Sequence, residues 1–504
     1  MEKTYFLGVD VGTYESKGSI MDGEGNLIAK HAVGHKLLTP KPGWCEHDAE
    51  QSWWGDLCVI TRALFEKSGL APTDIAAVGT SVNGGDVLPV DRDCKPLRNA
   101  ILYGIDTRNT REIAYLNDLF ERENVSLTRR MNTTTLLPKA LWIKNNEPEI
   151  YKKTYKLIPG ATYLVAKLTG NFVMDYYTCN GWSPLYRHDK LAYDETVGKL
   201  VDIPRDKLAD FGWTTDIAGK VTKEAAQATG LAEGTPVIVG TIDAPAEAVS
   251  TGVYNTGSLM VMLGSSTFFI LVTDEWKQDD LLSTAPFIFP DTYMIAGGTS
   301  TSGTLTRWFR DNIFFDAIEK ERETGRNAYD IMMDEIEGIP AGSDGLICLP
   351  YFVGERTPIQ DPKARGVFFG LNLNHTRAHL YKSALEGISY AIAQHFDIWH
   401  AGNSTISKVM AVGGGTKNPP WLQMISDVTG ETIHTSQITV GASYGDCMLA
   451  GLGVGYYRDR SEFDRLIKPG VTYSPNAGQH ELYKPLRKLY DELYPATKEL
   501  MHKL

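Results

Sequence analysis

The stretch Tyr5-Phe-Leu-Gly8-Val-Asp10-Val-Gly12-Thr13-Tyr-Glu15-Ser-Lys17-Gly-Ser-Ile-Met-Asp22 decides the fold. Two short apolar runs, Thr4–Asp10 and Ser16–Asp22, flank a turn of small residues, the pattern of a hairpin whose first strand ends in an acid. Asp22-Gly-Glu-Gly-Asn26 is a second turn signal, leading to a third strand near Leu27–His35. Trp53, Trp54, Leu57, Ile60, Leu64 and Phe65 then recur at spacings of three and four, which predicts a helix ending before Gly69. Ile75–Thr80 reads as a buried strand.

Three antiparallel strands, a helix and a strand make a β-β-β-α-β unit of the ribonuclease-H-like kind. A looser second copy begins after residue 255: Gly257–Leu263, the turn Gly264-Ser265-Ser266-Thr267, and Phe268–Val272. Helices over Thr304–Phe314, Thr376–His400 and Pro420–Val428 follow, with a strand over Lys408–Val412 that runs into Gly413-Gly414-Gly415. The boundary is placed near 248–256, giving two α/β domains, 1–248 and 249–504. No array of 20–50-residue repeats is visible.

The 504 residues, 42 % hydrophobic and 22 % charged, suit a large globular protein of about two to four domains. Apolar runs such as Leu259–Leu263 are broken long before the roughly 18 residues of a membrane span, and the start, Met-Glu-Lys-Thr-Tyr, shows no apolar leader. Fifty basic against 62 acidic side chains give a net charge of −12, the wrong sign for a nucleic-acid or anionic-membrane surface, so a small anionic ligand must be held locally. Six scattered cysteines without a C-x-x-C pair fit neither a zinc site nor a disulfide framework and point to a reducing cytoplasm.

A hairpin such as Gly8–Lys17 can offer backbone N–H groups and the Thr13 hydroxyl to a phosphate, with Asp10 directed at Mg²⁺, or can be an ordinary β-hairpin. It is not a Walker loop, because Lys17 precedes Gly18. Gly413–Asn418, between a strand and a helix, permits close approach of a nucleotide, but neither it nor Gly451-Leu-Gly453-Val-Gly455 has dinucleotide-fingerprint spacing. Asp243 closes the strand pattern Val237-Ile-Val-Gly240-Thr-Ile, a place for a proton acceptor or for a helix N-cap. His375 and His379 lack the Glu of a zincin and read as a solvated helix start, and the Trp53/Trp54 and Phe396/Trp399 stripes read as core.

Taken together, these segments resemble the FGGY family of carbohydrate kinases, its xylulokinase-like branch in particular. In the family's order stand Gly8–Asp22, Pro42-Gly-Trp44-Cys-Glu46-His-Asp48, Leu137-Pro-Lys139-Ala-Leu-Trp142 and Gly240-Thr-Ile-Asp243. Gly264-Ser265-Ser266, Gly354-Glu-Arg-Thr-Pro358 through Gly366, Gly370–Gly387 and Gly413–Asn418 follow. The resemblance implies a two-domain, actin-like ATPase fold closing on a sugar and ATP, with a homodimer compatible. It implies Asp243 as general base and Asp10 as a holder of magnesium. Thr13, Gly264, Ser265, Ser266 and Gly303 would meet phosphates, and Gly414, Gly415 and Asn418 the adenosine.

The sugar segments depart from the branch. Asn83-Gly84-Gly85 stands where xylulokinases carry Gln-Met-His, which is expected to leave room or to remove sugar contacts, and Tyr103-Gly-Ile-Asp106-Thr-Arg108 replaces Trp-x-Asp-x-Arg. Asn83, Tyr103, Asp106 and Asp243 are the expected sugar contacts, with Phe268 an apolar wall. The expected activity is ATP-dependent phosphorylation of a ketopentose such as xylulose. Alternatives are a kinase of ribulose, gluconate or glycerol, or a non-catalytic sugar sensor.

Overall fold

A computed structural model describes residues 4–127, 130–277, 281–438 and 440–504, so Met1–Lys3 of the opening segment lie outside the described residues. The first sheet is built on the hairpin of β1 (Tyr5–Val11) and β2 (Glu15–Asp22), with β3 (Leu27–Gly34) antiparallel to β2 and β4 (Ile75–Val82) parallel to β1. β5 (Pro236–Ile238) continues the sheet beyond β4, and Ile217–Lys220 forms its edge. The second sheet repeats the plan with β6 (Ser258–Leu263), β7 (Thr267–Thr273), β8 (Tyr293–Thr299), β9 (Lys408–Val412) and β10 (Ile433–Ser436). Its order β8-β7-β6-β9-β10 matches β3-β2-β1-β4-β5, so the loose sequence copy is a true structural repeat.

The central strands β1 and β6 are buried almost throughout, because helices cover both faces, and this is why they read as continuous apolar runs. α1 (Asp56–Ser68) packs on β2 and β3 and stops at Gly69, whose φ is 68°. It starts later than the periodicity predicts. Trp53 and Trp54 sit in a preceding π-helical turn, Ala49–Gly55, capped by Asp48, and Trp53 is buried there donating its indole N–H to His47 Nδ1 at 3.0 Å. The wide turn lets one tryptophan enter the core while its neighbour stays half-exposed.

α2 (Asp243–Ser250) begins just past β5, α3 (Gly303–Asn312) follows β8, α4 (Arg377–Ala401) crosses the second core, and α5 (Pro419–Thr429) follows β9. His379 accepts from the Thr376 N–H at 3.2 Å, so the His375/His379 pair is a helix start. All six cysteines are unpaired. α6 (Ala442–Gly453) crosses the line at residue 248: it belongs to the second half of the chain but lies on β1 and β4 and against α2. Ser443 and Ser19 join hydroxyls at 2.8 Å, and the Tyr444 hydroxyl donates to the Gly25 carbonyl at 2.7 Å. Each sheet has its own core, and a third apolar cluster around Phe6, Met260 and Met448 fills the space between them.

Candidate active site

A cavity of about 1110 Å³ lies between the two halves and takes wall residues from both. Asn83, Tyr103 and Asp243 come from the first half, Phe268 from β7, and Ser300, Glu355 and Arg356 from the loops beyond β8. Asp243 is the first residue of α2, with one carboxylate oxygen accepting from the Ala244 N–H at 2.8 Å. Burial pushes its carboxyl up to about 6, a value at which it is ionised at neutral pH yet still basic. Asn83 is almost fully buried and neither atom of its amide has a partner, which is what a wall awaiting a polar ligand shows.

Asp10 ends β1, opposite Ser81 in the parallel register with β4. The Ser81 hydroxyl lies 3.0 Å from Asp10 Oδ1 and 2.8 Å from Asp446 Oδ2, with Asp446 delivered by α6. One hydroxyl proton cannot be donated to two carboxylates at once, so this three-membered chain favours a proton on one of its carboxyls. Burial and the nearby Asp243 charge push Asp10 up to about 8, and burial with the Asp10 charge drives Asp446 well above the ordinary range. Burial also raises Glu247 of α2 to about 7, against the offsetting charge of Lys17.

The first turn is closed by the Gly12 N–H on the Glu15 carbonyl, and the Thr13 hydroxyl meets the Tyr103 hydroxyl at 2.6 Å. In the second loop the Gly264 N–H is bonded to the Ser266 carbonyl and the Gly303 N–H to the Gly264 carbonyl. The N–H groups of Gly264 and Gly303 are thus both bonded within the chain, and Gly303 stands beside the second loop. A Cβ there would stand 2.6 Å from the Gly264 carbonyl, so its work is to let α3 start against the loop. The N–H groups of Ser265 and Ser266 take no part in these bonds. At the glycine loop, Gly414 faces open space, Gly415 packs on Leu263, and Asn418 caps α5 by accepting from the Trp421 N–H at 3.2 Å.

Asp106 does not line the cavity. It is fully buried, receives the Cys45 N–H at 2.6 Å and is held by Arg108 Nη2 at 2.7 Å, an ion pair that Glu46 extends. Gly84 and Gly85 both line the cavity, yet the positions a Cβ would take there are occupied. A Cβ on Gly84 would stand 2.3 Å from Ile242 Cδ1, and Gly85, at φ +83°, would meet the Thr134 carbonyl at 2.7 Å. Sequence reasoning missed Ser81, Glu247, Glu355 and Asp446. The only local sign of the last is an acid inside the small-residue run Ala442–Gly451.

The FGGY N-terminal domain model of carbohydrate kinases matches residues 5–250 and the C-terminal one residues 259–454. The chain is 28 % identical over 501 residues to a xylulose kinase of Bacillus subtilis, with 98 % of each chain covered. A gluconokinase of the same organism is 26 % identical over 497 residues, covering 97 % of this chain and 95 % of the relative. Xylulose kinase from Rhodospirillum rubrum superposes with a TM-score of 0.89 at 25 % identity, over 99 % of this chain and all of that one. Glycerol kinase from Plasmodium falciparum, at 0.84 and 22 %, covering 97 % of this chain and 98 % of that one, shares the fold. With both domain models matched in order and a cleft between two repeated sheets, the chain belongs to the FGGY family of carbohydrate kinases.

Proposed function

We propose that this enzyme transfers the γ-phosphoryl group of ATP to a terminal hydroxyl of a ketopentose, xylulose first. The observation that carries the reading is that Asp243 and Asn83, whose buried amide has no partner, line one cavity walled by both halves. Asn83 and Tyr103 orient the acceptor, Phe268 supplies an apolar face, and Asp243 takes the hydroxyl proton as the bond to phosphorus forms. Ser265, Ser266 and Thr13 offer hydrogen-bond donors to the phosphates, and the glycine loop gives the adenosine room at Gly414. Phosphoryl transfer asks mainly for such positioning, and closure of the cavity over both substrates excludes water.

Magnesium fits the acids at the end of β1. Among the described residues no three His, Cys, Asp or Glu side chains form a closed cage, and this ion takes one or two carboxylates and fills its shell with phosphate oxygens and water. Asp10 would hold it, and when bound it would neutralise charge on the phosphates.

The choice of xylulose rests on full-length relatives named xylulose kinase in several bacteria. A sugar acid is the second reading, favoured by the gluconokinase relative and by Arg130 on the cavity wall. Six unpaired cysteines and the use of ATP suit a cytoplasmic setting. ADP release measured across ketopentoses, hexoses, aldonates and glycerol decides: the highest kcat/KM is expected for xylulose. A preference for gluconate would move the assignment, and no release with any acceptor would leave the sugar-sensor reading.

A further inference from the structure

The far wall of the cavity holds a buried carboxylate that the reaction as described leaves unused. Glu355, 4 % exposed, follows Gly354 in the loop before the cis Thr357–Pro358 bond. Its Oε1 accepts two backbone N–H groups, from Ser300 at 2.6 Å and Arg356 at 2.7 Å. Its Oε2 is buried, belongs to a cavity-lining residue and makes no hydrogen bond. The neighbouring Arg356 is committed elsewhere, donating to the carbonyls of Thr267 and Thr299, so the loop is anchored to β7 and β8. A carboxylate oxygen without a partner in a rigid loop is costly unless a ligand supplies the missing donor.

We propose that Glu355 is a substrate-binding residue of the second half, whose Oε2 accepts a hydrogen bond from an acceptor hydroxyl remote from the one phosphorylated. This rests on the sugar-kinase reading and deepens it. The acceptor is then gripped from both sides, by Asn83 and Tyr103 on one half and by Glu355 on the other. Polyols with a hydroxyl at the right distance bind both halves, whereas water, which fits the reacting position, does not span them. Burial keeps the Glu355 carboxyl up at about 7, offset by the two N–H groups it receives, so the grip strengthens as the carboxylate forms.

The test uses an acceptor that the wild-type enzyme has already been shown to phosphorylate, so a failure of the kinase reading is seen before this experiment starts. In Glu355→Gln the amide oxygen can still receive both backbone N–H groups, and only Oε2 is replaced, an acceptor giving way to a donor. Loss of one hydrogen bond to a charged group predicts a KM for the sugar raised roughly 10–100-fold, with the ATP KM within about twofold. An unchanged sugar KM overturns the proposal, as does a parallel loss for sugar and ATP. Should the variant fold poorly, a crystal structure of the wild-type enzyme with sugar and a non-hydrolysable ATP analogue decides. A sugar hydroxyl within hydrogen-bond distance of Glu355 Oε2 supports it, and a sugar making no contact with that oxygen refutes it.

Discussion

The hydroxyls of Thr13 and Tyr103 meet at 2.6 Å, 90 residues apart in sequence. Thr13 sits in the turn after β1 and Tyr103 on the cavity wall, so with the roles proposed above one hydrogen bond joins the phosphate and acceptor sites. Burial raises the Tyr103 phenol, which keeps it neutral and able to donate.

Tyr103→Phe keeps the ring and removes the link. One neutral hydrogen bond is worth about 1 kcal/mol, so kcat/KM is expected to fall roughly 3–10-fold for both sugar and ATP. Steady-state kinetics with each substrate varied in turn checks this, and a loss confined to the sugar would show that the two sites are not joined through this pair.

Asp243→Asn removes the proposed proton acceptor while leaving an oxygen for the Ala244 N–H. Turnover is expected to drop roughly 10²–10⁴-fold with nucleotide affinity close to wild type. Calorimetric ADP titration beside single-turnover kinetics separates the two effects, and wild-type turnover would take Asp243 out of the mechanism.

The buried acids also set how stability depends on pH. Asp10 at about 8, Asp86 and Glu247 at about 7 and Asp243 at about 6 hold protons more tightly folded than unfolded, where the values are 3.8 for Asp and 4.5 for Glu. More protons bound by the folded state means that stability falls as pH rises, here from about 4 to about 8. Asp316, held down at about 2 by its hydrogen bond to Arg377, acts oppositely and only in stronger acid. Ligand-free Asp10→Asn should therefore melt roughly 2–4 °C higher than wild type at pH 8 and show little difference at pH 5, while losing activity. Equal melting curves at both pH values would mean that Asp10 ionises without cost.

The Asn83-Gly84-Gly85 segment lines the cavity beside Ile242 and Thr134, and in the proposed function it shapes the acceptor site. Gly84→Met is expected to destabilise by about 1–3 kcal/mol through overpacking on Ile242, and Gly84→Met with Ile242→Ala to recover most of it. In the recovered double variant, relative kcat/KM among sugars should shift while the ATP KM stays fixed. A double variant no more stable than the single one would place the clash elsewhere.

Much of this protein was legible along the chain. Strand β9 falls on Lys408–Val412 as its apolar run predicts, and α4 lies within a residue of its periodic stretch, because burial of one face or both leaves a local pattern. The turn at Thr13 and the acid at the end of β1 were readable for the same reason: small residues and a carboxylate at a strand end are local facts. What only the tertiary structure decided are meetings between distant segments. Ser81 joins Asp446 across 365 residues, and an acid in a helix reads alike whether it faces water or a second carboxyl. That the Asp106 oxygens are taken by Arg108 and the Cys45 N–H, and the Gly303 N–H by the Gly264 carbonyl, is likewise written nowhere in the local sequence. The sequence by itself determined the strands and turns of the repeated sheets, because periodicity and turn residues act over a few neighbours, and its motifs carried the resemblance to the family. Which polar atoms remain free to bind was decided by the fold, because hydrogen-bond capacity is shared out among groups brought together only when the two halves pack.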